Sequence, residues 1–143
     1  MLDVAPPTLS STPSEDDLTE YCDTVCLEPC DREFLMLVLL DEQGRQVRTP
    51  ARLHGVPRLP RDRDAADLVD MITGVASQEG ATACVLIWQT LDDTDLDDLC
   101  ARQWADALST RLARSTLACR GQVHRSPSGF RLLLPGTSGA GRR

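Results

Sequence analysis

The sequence has no lysine and no asparagine, and only five of its 143 residues are aromatic. Without lysine, the chain cannot form a Walker-type phosphate-binding loop or a side-chain Schiff base. Without asparagine, it has no acceptor for N-linked glycosylation. The scarcity of aromatic residues predicts an aliphatic core, and it leaves few side chains on which nucleic-acid bases could stack.

The sequence also lacks the marks of secretion and of membrane insertion. Its first seven residues contain neither the basic region nor the apolar region of a signal peptide. No apolar run approaches the roughly 18–20 residues that a membrane-spanning helix needs. We therefore expect a cytoplasmic protein that makes no contact with a membrane and keeps most of its six cysteines reduced.

Apolar periodicity predicts an α/β fold, with α+β as the alternative. Helices are expected from the Ser14 cap to Pro29, over residues 65–79 and over residues 95–116. Strands are expected over residues 33–41, 47–54, 83–89, 118–125 and 129–134. The resulting order α-ββ-α-β-α-ββ predicts a mixed five-stranded sheet packed with three helices.

The same pattern gives the domain limits. Residues 1–13 are rich in Pro, Ser and Thr and are expected to be disordered. Residues 14–135 are expected to form one domain, which suits the chain length. Residues 136–143 are small and are expected to form a flexible tail. The third helix is expected to bury apolar residues spaced by four, with Leu99 beside them: Leu96, Cys100, Trp104, Leu108 and Leu112.

Cys22, Cys26 and Cys30 recur at intervals of four residues. The first two lie one turn apart on a helix, so both could ligate a metal. They also belong to the apolar stripe of that helix, where cysteine acts as a small hydrophobic residue. We favour the second interpretation and expect no cofactor, while a metal-binding or redox protein remains the alternative.

An acidic run follows the strand predicted at residues 83–89. Its spacing resembles the start of a calcium loop, but the glycine and glutamate that such a loop needs are absent. Acids are common at a helix N-terminus, so we interpret the run as helix capping. Ligands gather beyond the carboxyl ends of strands in open α/β sheets, which places candidate ligand-binding residues here. They are Trp88, Gln89, Asp92, Asp93 and Asp95.

The two histidines, His54 and His124, have no partner that the sequence identifies, so no catalytic residue is expected. Eight of the 15 basic residues lie after residue 98, beside a single acid, Asp106. A nucleic-acid track would require these arginines to share one face. Arg120 and Arg125 differ in parity on one predicted strand, so we expect them on opposite faces and expect no nucleic-acid binding.

Three stretches carry a resemblance to a known family. They are REFLMLVLLDEQGRQV, AADLVDMITGVASQEGATACVLIW and GFRLLL. They are similar to the opening hairpin, the helix with its central strand, and the last strand of JAB-type metallopeptidase domains, including the RadC-like group. That family carries zinc-binding His-x-His-Pro where this sequence reads Trp88-Gln89-Thr90-Leu91, so the resemblance implies a domain without zinc ligands. The chain also resembles small uncharacterised α/β proteins of high-GC actinobacteria.

The sequence as a whole predicts a non-catalytic binding or regulatory module with a protein partner. The alternatives are a metal-binding or redox protein using Cys22, Cys26 and Cys30, and an enzyme with an unrecognised site near Trp88–Asp98. The partner's identity and the oligomeric state do not follow from the sequence.

Overall fold

The computed structural model describes residues 7–137, which form three helices and one five-stranded sheet. The elements are α1 (Glu15–Val25), β1 (Phe34–Leu40), β2 (Ala51–Leu53), α2 (Asp62–Glu79), β3 (Ala83–Gln89), α3 (Asp95–Leu112), β4 (Ala118–Ser126) and β5 (Gly129–Thr137). The strand order is β2-β1-β3-β4-β5. Strands β3 and β4 are parallel, and the other neighbours are antiparallel. The predicted class and element order are confirmed.

The helix starts follow from local capping chemistry. At α1, the Ser14 hydroxyl accepts a hydrogen bond from the backbone N–H of Asp17, and the Asp17 carboxylate accepts one from the N–H of Ser14. At α3, Thr94 caps the backbone N–H of Asp97 in the same manner. Helix α2 begins at Asp62, three residues earlier than predicted, with Arg61 as its N-cap residue.

The sheet lies between two helical layers. Helices α2 and α3 cover one face and α1 covers the other. Residues of β3 alternate between the two cores, with Leu86 facing α2 and α3 and Ile87 facing α1. All seven residues of β1 and of β3 are buried, as their continuous apolar runs predict.

The predicted apolar face of α3 is wrong at its N-terminal end. Leu96 is 56% exposed and Leu99 is 49% exposed, while Asp97 is buried. Residues four apart advance about 40° past a full turn of a helix, so the five predicted positions from Leu96 to Leu112 cover an arc of about 160°, and the core does not reach its N-terminal end. The buried arc of α3 is instead centred between the predicted stripe and two alanines, and it contains Cys100, Ala101, Trp104, Ala105, Leu108 and Leu112.

The predicted split of Arg120 and Arg125 is also wrong. The register between β3 and β4 shifts after Cys119, and this bulge adds a residue to β4. Because one extra residue lies between Arg120 and Arg125, the alternation of side chains along β4 brings both to the same side of the sheet. Both guanidinium groups therefore lie on the α1 face. Arg120 donates to the carbonyl oxygen of Leu9, and Arg125 donates to that of Glu28.

The ends of the domain differ from the expected limits. Leu9 is buried and its N–H donates to the carbonyl oxygen of Gly44 over 3.0 Å, so part of the segment before α1 packs on the domain. Strand β5 continues to Thr137, and residues 1–6 and 138–143 lie outside the described residues. Strand β2 is shorter than predicted, since Pro50 interrupts its N-terminal side. Among residues 7–137, no helix is long and apolar enough to cross a membrane.

Candidate functional site

A cavity of about 230 Å³, here called the β3 cavity, opens at the carboxyl end of β3. Its walls come from the start of β1, the loop between β2 and α2, the end of β3 and the first turns of α3. This edge of the sheet is where parallel strands present ligand-binding side chains. The lining residues used below are Phe34, Arg58, Trp88, Thr90, Asp97 and Trp104.

Both tryptophans of the sequence line this cavity. Their rings stack with centroids 5.5 Å apart and an interplanar angle of 27°. The Trp88 Nε1–H donates to Gln122 Oε1 over 3.0 Å, and the Trp104 Nε1–H donates to the carbonyl oxygen of Pro57 over 2.7 Å. With both N–H groups bound to the protein, the indoles offer a ligand an apolar surface.

The charged part of the wall is an ion pair between Arg58 and Asp97. Nη2 of Arg58 lies 2.6 Å from Oδ1 of Asp97, whose side chain is 6% exposed, against 56% for Arg58. The hydrogen bond to Asp97 raises the pKa of Arg58, and the Cys100 thiol contributes a smaller effect in the same direction. The pair is neutral as a unit, and the exposed guanidinium keeps other N–H donors for a ligand.

Thr90 connects the cavity to a buried polar group. Its Oγ1 lies 2.8 Å from Nε2 of His124, and Nδ1 of the same imidazole lies 3.3 Å from Oδ1 of Asp98. We call this arrangement the Thr90–His124–Asp98 network. It forms because Thr90 follows β3, His124 lies on the adjacent parallel strand β4 and Asp98 lies in the first turn of α3.

Two arginines fix the carboxylate of this network. Nε of Arg102 lies 2.8 Å from Oδ2 of Asp98, and Nη1 of Arg131 lies 3.1 Å from Oδ1. Burial alone would raise the pKa of Asp98, but hydrogen bonds from Arg102 and His124, together with the positive charges of Arg102 and Arg131, outweigh it and lower the pKa. Asp98 is therefore a carboxylate at neutral pH.

The predicted ligand-binding residues divide into two groups. Trp88 and Gln89 line the β3 cavity, although Gln89 is bound on both sides, by its Nε2 to the carbonyl oxygen of Arg32 and by its Oε1 to Arg125. The acidic residues after the strand are not in the cavity wall. The Asp92 carbonyl oxygen accepts from Thr90, the Asp93 carboxylate accepts from Ser128, and Asp95 is exposed at the start of α3.

Cys22, Cys26 and Cys30 do not converge. Cys22 and Cys26 lie in the core between α1 and the sheet, where Sγ of Cys26 is 3.9 Å from Sδ of Met36. The Cys30 thiol instead donates to the carbonyl oxygen of Thr90 over 2.9 Å. Within residues 7–137, no three His, Cys, Asp or Glu side chains are grouped closely enough to hold a metal ion.

Sequence reasoning missed Arg58, Asp97 and His124. Arg58 lies in a Pro-rich loop 39 residues before its partner Asp97, so only the tertiary fold relates them. His124 meets Thr90 through strand pairing, and strand order does not follow from local sequence. Strand alternation does indicate the face on which His124 lies. It is two residues from Gln122, so both side chains are on the α3 side of β4.

The chain matches no protein-family model, no curated protein and no solved structure. The similarity to JAB-type domains thus stays a prediction. Positions 88–91, where that family has zinc ligands, end β3 and reach the β3 cavity through Trp88, Gln89 and Thr90. Any function has to be argued from these side chains.

Proposed function

We propose that the protein is a binding module that holds a small, uncharged, largely apolar ligand in the β3 cavity. The observation that carries this proposal is the stacked tryptophan pair beside the Arg58–Asp97 ion pair. Pockets for small molecules combine apolar and aromatic walls with a few placed polar groups. At about 230 Å³, the space suits a ligand of one ring with a short substituent.

The charges of the wall favour an uncharged ligand. Arg58 contributes one positive charge, while Asp97 and Glu33 contribute two negative charges. The wall therefore carries one more negative than positive charge, which disfavours a carboxylate ligand, whereas a carbonyl oxygen could accept a hydrogen bond from Arg58 without that penalty. The ligand class we expect is an amide, ester or ketone with an apolar body.

Three probes of one shape test this prediction: benzamide, benzoate and benzylamine, which are neutral, negative and positive. Because the two tryptophans of the sequence both line the cavity, intrinsic fluorescence reports occupancy directly. We expect benzamide to change the emission saturably and to raise the unfolding temperature. We expect benzoate to bind at least about tenfold more weakly, which corresponds to about 1.4 kcal/mol.

Variants locate the site. Arg58→Gln keeps an N–H donor for Asp97 but removes the charge and the other donors, so benzamide should bind more weakly. Arg63→Gln is the matched control, because Arg63 is an exposed arginine of α2 outside the cavity wall. Equal losses in both variants, or no fluorescence response to any of the three probes at millimolar concentration, would contradict the proposal.

A protein partner is the second candidate, and exposed leucines beside the cavity favour it. Leu59, Leu91, Leu96 and Leu99 are each at least 42% exposed, and each is a neighbour in sequence of a cavity-lining residue. Exposed apolar surface beside a cavity is typical of interaction sites. If a partner docks there, Leu96→Glu with Leu99→Glu should abolish its binding in a pull-down, while Met71→Glu on α2 should not.

A further inference from the structure

We propose that Thr90 is the nucleophile of an acyl-transfer site that cleaves small uncharged carboxylic esters in the β3 cavity. The inference rests on the proposed function for the place where the substrate binds, and it adds a covalent reaction to binding. It also departs from the sequence-based expectation of a non-catalytic protein. What carries it is the Thr90–His124–Asp98 network, a hydroxyl, an imidazole and a carboxylate in hydrogen-bonding sequence.

The partners of the imidazole define how its protons are placed. A carboxylate can only accept hydrogen bonds, so the hydrogen on His124 Nδ1 points to Asp98. In the neutral ring, Nε2 is then an acceptor that faces the Thr90 hydroxyl at 2.8 Å. The hydroxyl hydrogen can point to Nε2 or to the Asp92 carbonyl oxygen 3.0 Å away. The first orientation is the one that a general base requires.

The network is held rigidly. His124 is 5% exposed and lies on a strand paired on both sides. Asp98 is fixed by Arg102 and Arg131, so it can orient the imidazole and stabilise its charged form. Thr90 alone of the three lines the β3 cavity, and its Oγ1 contacts an imidazole that is itself buried. Such constellations are recognised by geometry and recur on unrelated folds.

The reaction balances with water as the only co-reactant. Oγ1 of Thr90 forms a bond to the ester carbonyl carbon while Nε2 of His124 takes the hydroxyl proton. The bond from that carbon to the alkoxy oxygen then breaks, and the imidazolium returns the proton to the leaving alcohol. Water attacks the acyl-Thr90 ester in the same way, giving its proton to Nε2, and Thr90 leaves with that proton as the acid is released.

The charges of the cavity suit the two ends of this reaction. Arg58 is the cationic donor of the wall and can stabilise the negative charge that develops on the carbonyl oxygen. The product is a carboxylate, which is disfavoured by a wall that holds one positive group, Arg58, and two negative groups, Asp97 and Glu33. The site therefore binds a neutral ester more tightly than the acid formed from it. This difference in affinity favours release of the product.

Two assays test the inference on the full chain. In the first, hydrolysis of p-nitrophenyl acetate is compared for the native sequence, Thr90→Val, Thr90→Ser and His124→Gln. We expect at least a hundredfold loss for Thr90→Val and for His124→Gln, and partial activity for Thr90→Ser, which keeps a hydroxyl. His54→Gln is the matched control, because His54 is the only other histidine, is exposed and lies outside the cavity wall.

In the second, a fluorophosphonate should add one phosphonyl group to the intact protein, and peptide mass spectrometry should locate it on Thr90. The absence of lysine keeps background acylation of side-chain amines out of both assays. Thermal melts of each variant show whether it is folded. If Thr90→Val does not fold, Thr90→Ser keeps the test valid.

Hydrolysis that survives Thr90→Val in a folded protein, or equal losses in His54→Gln and His124→Gln, would overturn the inference, as would a label elsewhere than Thr90. Saturable benzamide binding without hydrolysis or labelling would leave the binding module in place and remove the nucleophile. Labelling of Thr90 without any tryptophan response would keep the nucleophile and refute the binding site in the β3 cavity.

Discussion

The two faces of the sheet are covered in different ways. On one face lie α2 and α3, each of 18 residues, and on the other lies α1, of 11 residues. The short helix leaves room that the segment before it fills, with Leu9 buried against the same core. The face with two long helices is the one that contains the β3 cavity and the Thr90–His124–Asp98 network.

The buried polar groups differ between the faces as well. Under α3, Gln122 joins Trp88 to the carbonyl oxygen of Ala105, so polar atoms there connect elements around the cavity. On the α1 face, Arg120 connects β4 to the backbone of Leu9. Arg120 therefore closes the α1 face where Leu9 packs, whereas Gln122 orders the walls of the site on the other face.

The largest expected effect comes from truncating the core on the α2 and α3 face. Leu86 is fully buried there, and Leu86→Ala should lower the free energy of unfolding by about 2–5 kcal/mol, because two long helices restrict collapse around the cavity left behind. Leu108→Ala, on α3, should fall in the same range. Urea titrations with linear extrapolation give the values.

Ile87→Ala is the matched comparison on the α1 face. Ile87 is also fully buried and is the next residue of β3, so the strand and the depth are the same. We expect a smaller loss, since one short helix and the Leu9 segment can move toward the sheet. An equal or larger loss for Ile87→Ala would show that the α1 face is packed as rigidly as the other. A change under about 0.5 kcal/mol for Leu86→Ala would contradict its assignment to the core.

Much of the arrangement of strands and helices on the two faces can be predicted from the sequence. The continuous apolar run of β3 predicts a strand covered on both faces, and the Ser14 cap predicts where α1 begins. These features are local, since each depends on residues within one turn or one strand. The fold class followed from their order alone.

The candidate site is harder to predict from the sequence, because it depends on pairing between segments that are distant along the chain. Thr90 lies within the predicted site region, yet its base His124 is 34 residues away and reaches it only through the parallel pairing of β3 and β4. The bulge that puts Arg120 and Arg125 on one face has no marker in the composition of β4 except Gly121. Local periodicity assumes a regular strand, so it fails at such a point.

Gly44→Ala should have the next largest effect, and it tests the Leu9 contact that closes the α1 face. Gly44 has φ near +80°, and an added Cβ would collide with the Leu9 carbonyl group. The backbone conformation alone should cost about 1–2 kcal/mol for a residue with a side chain. Displacement of Leu9 adds to this, so unfolding titrations should give a larger loss, and hydrogen exchange at residues 7–13 should accelerate.

Gly80→Ala separates the two contributions. Gly80 has φ near +71° at the end of α2, and an added Cβ would meet nothing within 4 Å. It should lose stability through backbone strain alone and leave exchange at residues 7–13 unchanged. Equal losses in the two variants would mean that Leu9 contributes nothing to closing the α1 face.

The smallest expected effect is a pH dependence on the other face, in the network that orders the site. Hydrogen bonds from Arg102 and His124 and the positive charges of Arg102 and Arg131 together outweigh burial and lower the pKa of Asp98, so the folded protein releases this proton more readily than the unfolded chain does. The resulting stability is present above the ordinary carboxyl pKa of about 3.9 and is lost as the pH falls through the lower pKa of the folded protein. Asp98→Asn should therefore cost about 1 kcal/mol at pH 7, and the difference from the native sequence should shrink below about pH 4.

Asp95→Asn is the control, because it removes an exposed acid from the same helix turn and so loses the interaction with the helix dipole but not the network. Urea titrations from pH 7 to pH 3 give both differences. A difference for Asp98→Asn that stays constant over this range, or that matches Asp95→Asn throughout, would show that the arginines and His124 do not stabilise the charged carboxylate, and that the polar groups on this face do not order the site.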